Sequence, residues 1–268
     1  MPIFHIVVLA LIQGITEFLP ISSSAHLVLV PVFTGWKDQG LVMDVAVHVG
    51  TLLAVILYFR RDMAEMIVGG LKLLIGRVTP GGRLALLIVV STIPVVLAGA
   101  ALHELAPDAF RGTLGVKIIA WTTLLFGILL WIADRFSIAV RRSEHLKASD
   151  AVLIGIAQAV ALLPGVSRSG ITMTAGRALG MERSEAARFS LLMAIPTIIA
   201  AGVLEGMGLY ESGNLALGID VLLGAAFAFV SALAAIALMM RWLEHASFTP
   251  FVIYRIVLGA ALLYWLYG

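Results

Sequence analysis

The hydrophobic positions of this chain form long, nearly charge-free stretches separated by short polar segments. A helix needs roughly 20 apolar residues to cross a hydrocarbon core about 30 Å thick, and these stretches have that length. They are not the roughly ten-residue alternating segments of an outer-membrane barrel. The pattern predicts six full spans: Leu41–Phe59, Leu84–Leu102, Leu114–Ala133, Ala186–Leu209, Val221–Met240 and Phe251–Tyr267.

Two further apolar segments, Ile3–Val32 and Ala151–Leu179, are interrupted midway by proline, glycine and serine. Each is predicted to form two short helices that meet at a break. Backbone that is not helical is tolerated at membrane depth only where it is buried in protein or lines a wet cavity. Both breaks are therefore candidate sites.

Composition supports the same class, because 61% of the 268 residues are hydrophobic and 13% are charged. Soluble domains are about half apolar and about a quarter charged. We predict an all-α polytopic membrane protein. The chain has no cysteine, which excludes thiolate chemistry, and its net charge of +2 is too small to indicate a nucleic-acid partner.

The basic residues predict the topology, since Lys and Arg are enriched in cytoplasmic loops. Fourteen of the 18 fall on one side if each broken segment enters and leaves the membrane by the same face. Each half, 1–140 and 141–268, is then one re-entrant segment (3–32 or 151–179) followed by three spans. The odd number of spans places the halves in opposite orientations, so we predict an inverted-topology repeat within one integral membrane domain. The fourteen are Arg60, Arg61, Lys72, Arg77, Arg83, Arg135, Arg141, Arg142, Lys147, Arg177, Arg183, Arg188, Arg241 and Arg255.

A short internal similarity supports this division. A shift of 145 positions aligns the two breaks without a gap. It pairs Gln13 with Gln158, and it pairs Ser22 with Ser167.

The first break concentrates polar residues at predicted membrane depth. Gln13 and Glu17 lie four positions apart and so share a helix face, and Ser22–Ser24 and His26 follow Pro20. A membrane-embedded ionisable residue marks a functional site by default. The structural alternatives are a Glu17 solvated at the interface, serines that only cap the next helix, and a His26 satisfied by a neighbour.

The second break carries Ser167, Arg168, Ser169 and Thr172 between glycines. Amide groups at a helix N-terminus, hydroxyls and one guanidinium together form an anion site, and phosphate suits it best. In the structural alternative, Arg168 only pairs with an acid such as Glu17. Asp44 and His48, one turn apart, either support the site or lie at the interface.

These two motifs resemble those of the bacterial undecaprenyl pyrophosphate phosphatases associated with bacitracin resistance. The resemblance rests on Gln13–His26 and Pro164–Thr172 and spans nearly the whole chain. It implies hydrolysis of undecaprenyl diphosphate to the monophosphate, with Mg²⁺ or Ca²⁺ as cofactor, by a multi-pass protein of the bacterial inner membrane. It also implies recycling of a lipid carrier for the cell wall, which favours a site open to the periplasmic face. A homodimer is compatible with it.

Carried over by position, the family's functional residues fall on Glu17, Ser23, His26, Ser167, Arg168 and Thr172. We expect Glu17 to bind the metal with Gln13 as a neutral helper, although other members have glutamate at the position of Gln13. Ser23 is the expected nucleophile, with His26 as its proton acceptor; attack by a water that His26 activates stays open. The expected phosphate-binding residues are Ser22, Ser24, Ser167, Arg168, Ser169 and Thr172.

Two alternative functions fit parts of the pattern. Inverted repeats with broken helices are also typical of secondary transporters, so a transporter or flippase for a phosphate-bearing lipid or anion is the first alternative. A metal-independent lipid phosphatase that uses paired histidines is the second, but no second histidine is followed by aspartate four residues later.

Overall fold

The computed structural model describes residues 2–37, 39–105, 112–211 and 218–268. Within these ranges the fold consists of helices and irregular segments, with one isolated β-bridge. The α-helices in chain order are α1 Ile3–Thr16, α2 Ser23–Thr34, α3 Leu41–Tyr58, α4 Arg60–Leu74, α5 Pro80–Leu105, α6 Gly112–Phe136, α7 Ala148–Val160, α8 Arg168–Ala178, α9 Arg183–Glu211, α10 Ile219–His245 and α11 Thr249–Tyr267.

Six of these helices are long and apolar enough to cross a membrane, and they coincide with the six predicted spans: α3, α5, α6, α9, α10 and α11. Helix α9 continues through Pro196, as expected where neighbouring helices surround a proline. Both interrupted segments form two short helices, α1 with α2 and α7 with α8. The predicted class of an all-helical, multi-span protein is confirmed.

Helix α4 was not predicted, because its charged first turn and mixed composition hide it in a basic segment between two spans. Its backbone lies directly against α5. A Cβ built on Gly69 would lie 2.1 Å from the Gly82 nitrogen, so only glycine permits this approach.

The helices of the first half pack largely against helices of the second. Helix α1 lies against α10 and α7 lies against α5, which are the middle spans of the opposite halves, and α6 lies against α11. Glycines allow both of the first contacts: a Cβ on Gly14 would lie 2.6 Å from the Ala228 carbonyl oxygen, and one on Gly155 would lie 2.4 Å from that of Ser91. The two broken segments are thus held between the halves.

Two of the fourteen basic residues used for the topology are buried. Arg177 is buried where its Nε donates to Asp134 Oδ1 at 3.0 Å. Arg255, which was predicted to flank the last loop, lies inside α11 and is fully buried. A charged side chain can be buried in a span when backbone carbonyls surround it.

Candidate active site

The two breaks have the same local geometry. Ser22 and Ser167 are the residues before α2 and α8, and they are the two residues other than glycine with positive φ among those described, at 75° and 71°. Each serine hydroxyl accepts a hydrogen bond from the amide three positions on, Ala25 N at 3.4 Å and Gly170 N at 3.1 Å. This strained conformation at both capping positions directs the first turns of α2 and α8 toward a common region.

Glu17 is the centre of the hydrogen-bond network between the breaks. Its side chain is buried at the end of α1. Oε2 accepts from Ser23 Oγ at 2.6 Å and from Gln13 Nε2 at 2.9 Å, and Oε1 accepts from Arg168 Nη2 at 2.8 Å. The shared helix face of Gln13 and Glu17 is confirmed, and the alternative of a solvated Glu17 is not what the structure shows.

A cavity of about 640 Å³, here called the active-site cavity, opens beside this network. Its polar end contains most of the residues that the sequence singled out. Its other walls are apolar side chains, mostly of α3 and α9, with Val95 of α5, Val28 of α2, Ile119 of α6 and Ala161, Leu162 and Pro164 of the second break. Its polar lining residues are Glu17, Ser22, Ser23, Ser24, His48, Gln158, Ser167, Arg168 and Thr197.

Arg168 forms an ion pair with Glu17 and also lines the cavity. One guanidinium nitrogen, Nη2, donates to Glu17, and within the described residues the others carry no hydrogen bond. The guanidinium carbon lies 5.9 Å from the centre of the Phe18 ring. The pairing with Glu17 therefore occupies part of the guanidinium fork and leaves donors for an anion.

The whole chain has close relatives. The family described as "Bacitracin resistance protein BacA" matches residues 6–261. The chain belongs to this family.

Individual members of the BacA family are similar over their full length. The undecaprenyl-diphosphatase of Ruegeria pomeroyi is 56% identical over 265 residues, which is 98% of each chain. The undecaprenyl-diphosphatase of Roseobacter denitrificans is 50% identical over the whole of both chains, and undecaprenyl-diphosphatase 1 of Rhodospirillum rubrum is 52% identical over 98% of this chain and 95% of its own.

Four of the predicted site residues of this BacA chain do not line the cavity: Gln13, His26, Ser169 and Thr172. His26 is turned toward α11, with Nδ1 2.6 Å from the Ser22 carbonyl oxygen and Nε2 2.5 Å from the Tyr254 hydroxyl. Ser169 donates to the Leu19 carbonyl at 2.9 Å, and Thr172 Oγ1 lies 2.6 Å from Ser190 Oγ. Of these contacts, the one from Ser169 to Leu19 joins the two breaks, and those of His26 and Thr172 attach α2 to α11 and α8 to α9. The partner of Ser23 is Glu17, not His26.

The histidine that lines the cavity is His48, whereas the sequence predicted His26 there. Its Nδ1 lies 2.7 Å from the Asp44 carbonyl oxygen and its Nε2 lies 4.0 Å from Glu17 Oε2. The one signal in the sequence was its position one turn after Asp44. That spacing does not show which way α3 is rotated.

Gln158 was found only by internal alignment with Gln13, and each of the two glutamines has an unused amide atom. Gln13 Oε1 and Gln158 Nε2 are buried without a hydrogen-bond partner among the described residues. Gln158 lines the cavity, and Thr197 Oγ1 donates to its Oε1 at 3.3 Å. Buried polar atoms that lack partners are costly. Because Gln158 lines the cavity, its free amide nitrogen can donate to a ligand there.

Arg255 donates hydrogen bonds to backbone carbonyls of both breaks. Its Nη1 donates to the Pro20 carbonyl at 3.3 Å and its Nη2 to the Gly165 carbonyl at 3.0 Å. Its Nε donates to the Thr123 carbonyl at 3.2 Å, and no carboxylate pairs with it in the part of the chain that is described. A Cβ on Gly170 would lie 2.7 Å from Arg255 Nη1, so this glycine makes room for the guanidinium.

The donor set suits a hard cation that also binds a phosphate. Among the described residues no three His, Asp or Glu side chains cluster as a complete metal site. Mg²⁺, however, is usually held by one or two carboxylates while water and substrate phosphates complete its shell. The Glu17 carboxylate and the Gln13 Oε1, which has no hydrogen-bond partner among the described residues, are such a partial set.

Proposed function

We propose that this BacA chain hydrolyses undecaprenyl diphosphate to undecaprenyl phosphate and inorganic phosphate, which would recycle the lipid carrier for cell-wall synthesis and confer bacitracin resistance. The observation that carries the proposal is the Ser23 hydroxyl held 2.6 Å from the buried Glu17 carboxylate, beside the Arg168 guanidinium, in one cavity. The names of the similar proteins support the same reaction.

The chain's own residues supply the parts of a phosphoryl transfer. Ser23 Oγ attacks the terminal phosphorus while Glu17 Oε2 takes its proton, and the bond to the bridging oxygen breaks so that undecaprenyl phosphate leaves. Water then attacks the phosphoserine, releasing phosphate and restoring the hydroxyl. Arg168 and the amides at the starts of α2 and α8 hold the phosphate oxygens as negative charge moves between them.

Glu17 and Gln13 would hold the divalent cation, Mg²⁺ or Ca²⁺, together with substrate oxygens. When bound, such an ion neutralises phosphate charge and acts as a Lewis acid. Ser22, Ser24 and Ser167 line the same end of the cavity and would contact the phosphates. Ser169, Thr172 and His26 would act by fixing the breaks.

The cavity is proposed to open to the periplasmic face of the bacterial inner membrane. The residues that α3 contributes, from Val45 to Leu52, precede the Arg60–Arg61 pair by more than one helix turn. Those that α9 contributes, from Thr197 to Val203, lie far from its first residue Arg183. Arginine-rich ends are cytoplasmic, so the cavity lies toward the other face.

The inverted topology is part of this proposal. It is supported by the matching geometry of Ser22 and Ser167 and by the reciprocal packing of α1 on α10 and α7 on α5. Lys147→Cys and Ile219→Cys should react with an impermeant thiol reagent from opposite faces, since the chain has no cysteine of its own. Asn214, the first choice from sequence for the outer label, lies outside the described residues. Labelling of both positions from one face would contradict the topology.

Phosphate release by the purified protein is the deciding experiment. With a long polyprenyl diphosphate and Mg²⁺ we expect inorganic phosphate, and we expect chelation to abolish its release. A transporter or flippase would release none, and a metal-independent phosphatase would ignore the chelator. Either result would overturn the corresponding part of the proposal.

A further inference from the structure

A second cavity of about 410 Å³, here called the side cavity, lies between α5 and α9. Its walls are almost entirely apolar, with His103 at one end and Thr197 at the other. Val96, Ala100 and Leu204 are also exposed on the outside of the protein. The lining residues are Val95, Val96, Gly99, Ala100, Leu102, His103, Leu162, Thr197, Ala200, Ala201 and Leu204.

The side cavity shares part of its wall with the active-site cavity. Val95, Leu162, Thr197 and Ala201 line both. Among the described residues, no aspartate, glutamate, lysine or arginine lines the side cavity, and some of its lining residues, Val96 and Leu204 among them, are exposed on α5 and α9.

We propose that the side cavity holds the isoprene units nearest the diphosphate, so that the polyprenyl chain of the substrate leaves the protein between α5 and α9. This inference rests on the proposed function, because it needs a substrate with one anionic and one apolar end. The phosphates require the polar end of the active-site cavity, and the chain must reach the bilayer from there. The side cavity is apolar, adjoins the active-site cavity and has lining residues on the exposed surface.

The side cavity selects an orientation and contributes little affinity. A prenyl chain that moves from the bilayer into an apolar cavity exchanges one hydrocarbon environment for another, so the hydrophobic effect favours neither. What the cavity fixes is the direction in which the chain leaves the phosphorus, and therefore the position of the leaving oxygen relative to Ser23. Blocking it should penalise long substrates by steric exclusion.

Gly99→Phe tests this exit path directly. Among the described residues, the one atom that a Cβ on Gly99 meets within 4 Å is Leu162 Cδ2, at 3.7 Å, so a side chain there can extend into the side cavity without displacing described backbone. Gly70→Phe is the matched control, because a Cβ on Gly70 meets no described atom within 4 Å and α4 lines neither cavity. Each protein is assayed with farnesyl diphosphate and with dimethylallyl diphosphate, which has a single isoprene unit.

We expect Gly99→Phe to lower kcat/KM for farnesyl diphosphate about tenfold or more. The loss for dimethylallyl diphosphate should be several-fold smaller, because its single isoprene unit extends less far into the side cavity. Gly70→Phe should resemble the wild type with both substrates. Unchanged kcat/KM for farnesyl diphosphate, or an equal loss with both substrates, would overturn the proposal.

Photolabelling of the wild-type protein gives a second measurement that does not depend on a variant folding. A farnesyl diphosphate with a diazirine on its first isoprene units should label peptides of α5 and α9 around Gly99 and Ala201. Unlabelled farnesyl diphosphate should compete, and farnesol should not. Labelling of α3 instead, or labelling that farnesol removes equally, would mean another exit path or a passage occupied by bilayer lipid. A wild type that releases no phosphate but is labelled as expected would refute the reaction and retain the binding path.

Discussion

Glu17 and Arg168 come from different breaks, 151 positions apart in the sequence, and form an ion pair in which Arg168 Nη2 lies 2.8 Å from Glu17 Oε1. A buried charge without a partner is strongly destabilising, so each residue holds the other in the protein interior. The pair also places a base for Ser23 and an anion-binding group for phosphate on the same side of the cavity. It is the contact through which the halves of the chain form one site.

Arg168→Lys should lose at least about tenfold in kcat/KM while the protein still inserts and purifies normally. Lysine keeps the charge but cannot donate to Glu17 and to a phosphate from one rigid fork. Phosphate release measures the loss. Arg142→Lys is the control, because Arg142 forms an exposed ion pair with Glu182. Full activity of the lysine variant would show that charge alone is sufficient.

Glu17→Gln should reduce the rate by about 10² or more and raise the Mg²⁺ concentration needed for half-maximal activity. The amide retains the shape of the side chain but neither accepts the Ser23 proton nor offers the cation a charge. The metal titration is the informative measurement. Gln13→Glu adds a carboxylate on the same helix face, so it should lower the Mg²⁺ concentration needed for half-maximal activity. A slower Glu17→Gln enzyme with an unchanged metal requirement would assign Glu17 to proton transfer alone.

Ser23→Ala should abolish turnover to within background and leave the half-maximal Mg²⁺ concentration of any residual activity unchanged. The alanine variant should also fail to form the acid-stable phosphoserine that substrate with a labelled terminal phosphate leaves on the wild type. Ser247→Ala, in the short segment between α10 and α11, is the control. Near-normal turnover of Ser23→Ala would mean that water is the nucleophile.

Arg255→Met should destabilise the protein by roughly 3 kcal/mol or more, because it leaves buried carbonyls at both breaks without donors, each costing about 1–3 kcal/mol. Thermal unfolding in detergent measures the loss, and phosphate release should fall with it. Arg255→Lys keeps the charge but makes fewer hydrogen bonds, so its unfolding temperature should lie between those of the wild type and Arg255→Met. Arg241→Met, on the exposed surface of α10, is the control. Wild-type stability of Arg255→Met would contradict its role between the breaks.

The spans and the breaks were predictable because they depend on quantities that a sequence contains. Span length follows from the thickness of the bilayer, and Pro20 and Pro164 mark where the two broken segments lose their helical pattern. The shared face of Gln13 and Glu17 follows from the helical period alone. Helix α4 was missed because no window of its sequence is apolar enough to stand out from a basic loop.

The side-chain directions were not predictable in the same way. Ser22, the residue before α2, has a positive φ, and His26 lies one helix turn later. With α2 started in this way, the His26 imidazole contacts Tyr254. Whether His26 or His48 reaches the cavity depends on how each helix is rotated, which no residue spacing records. The burial of Arg255 was not predictable for a related reason, because its partners are backbone carbonyls of distant segments and leave no pattern of charges in the sequence.

The packing of α1 on α10 and of α5 on α7 has a consequence for how the protein is made. Helices of the first half leave the ribosome long before their neighbours exist, and Glu17 enters the translocation machinery 151 residues ahead of Arg168. Until then its carboxylate lacks the cation that neutralises it in the finished protein. The first half therefore cannot complete its folding during its own synthesis, because the partners of Glu17 and of α1 lie in α8 and α10.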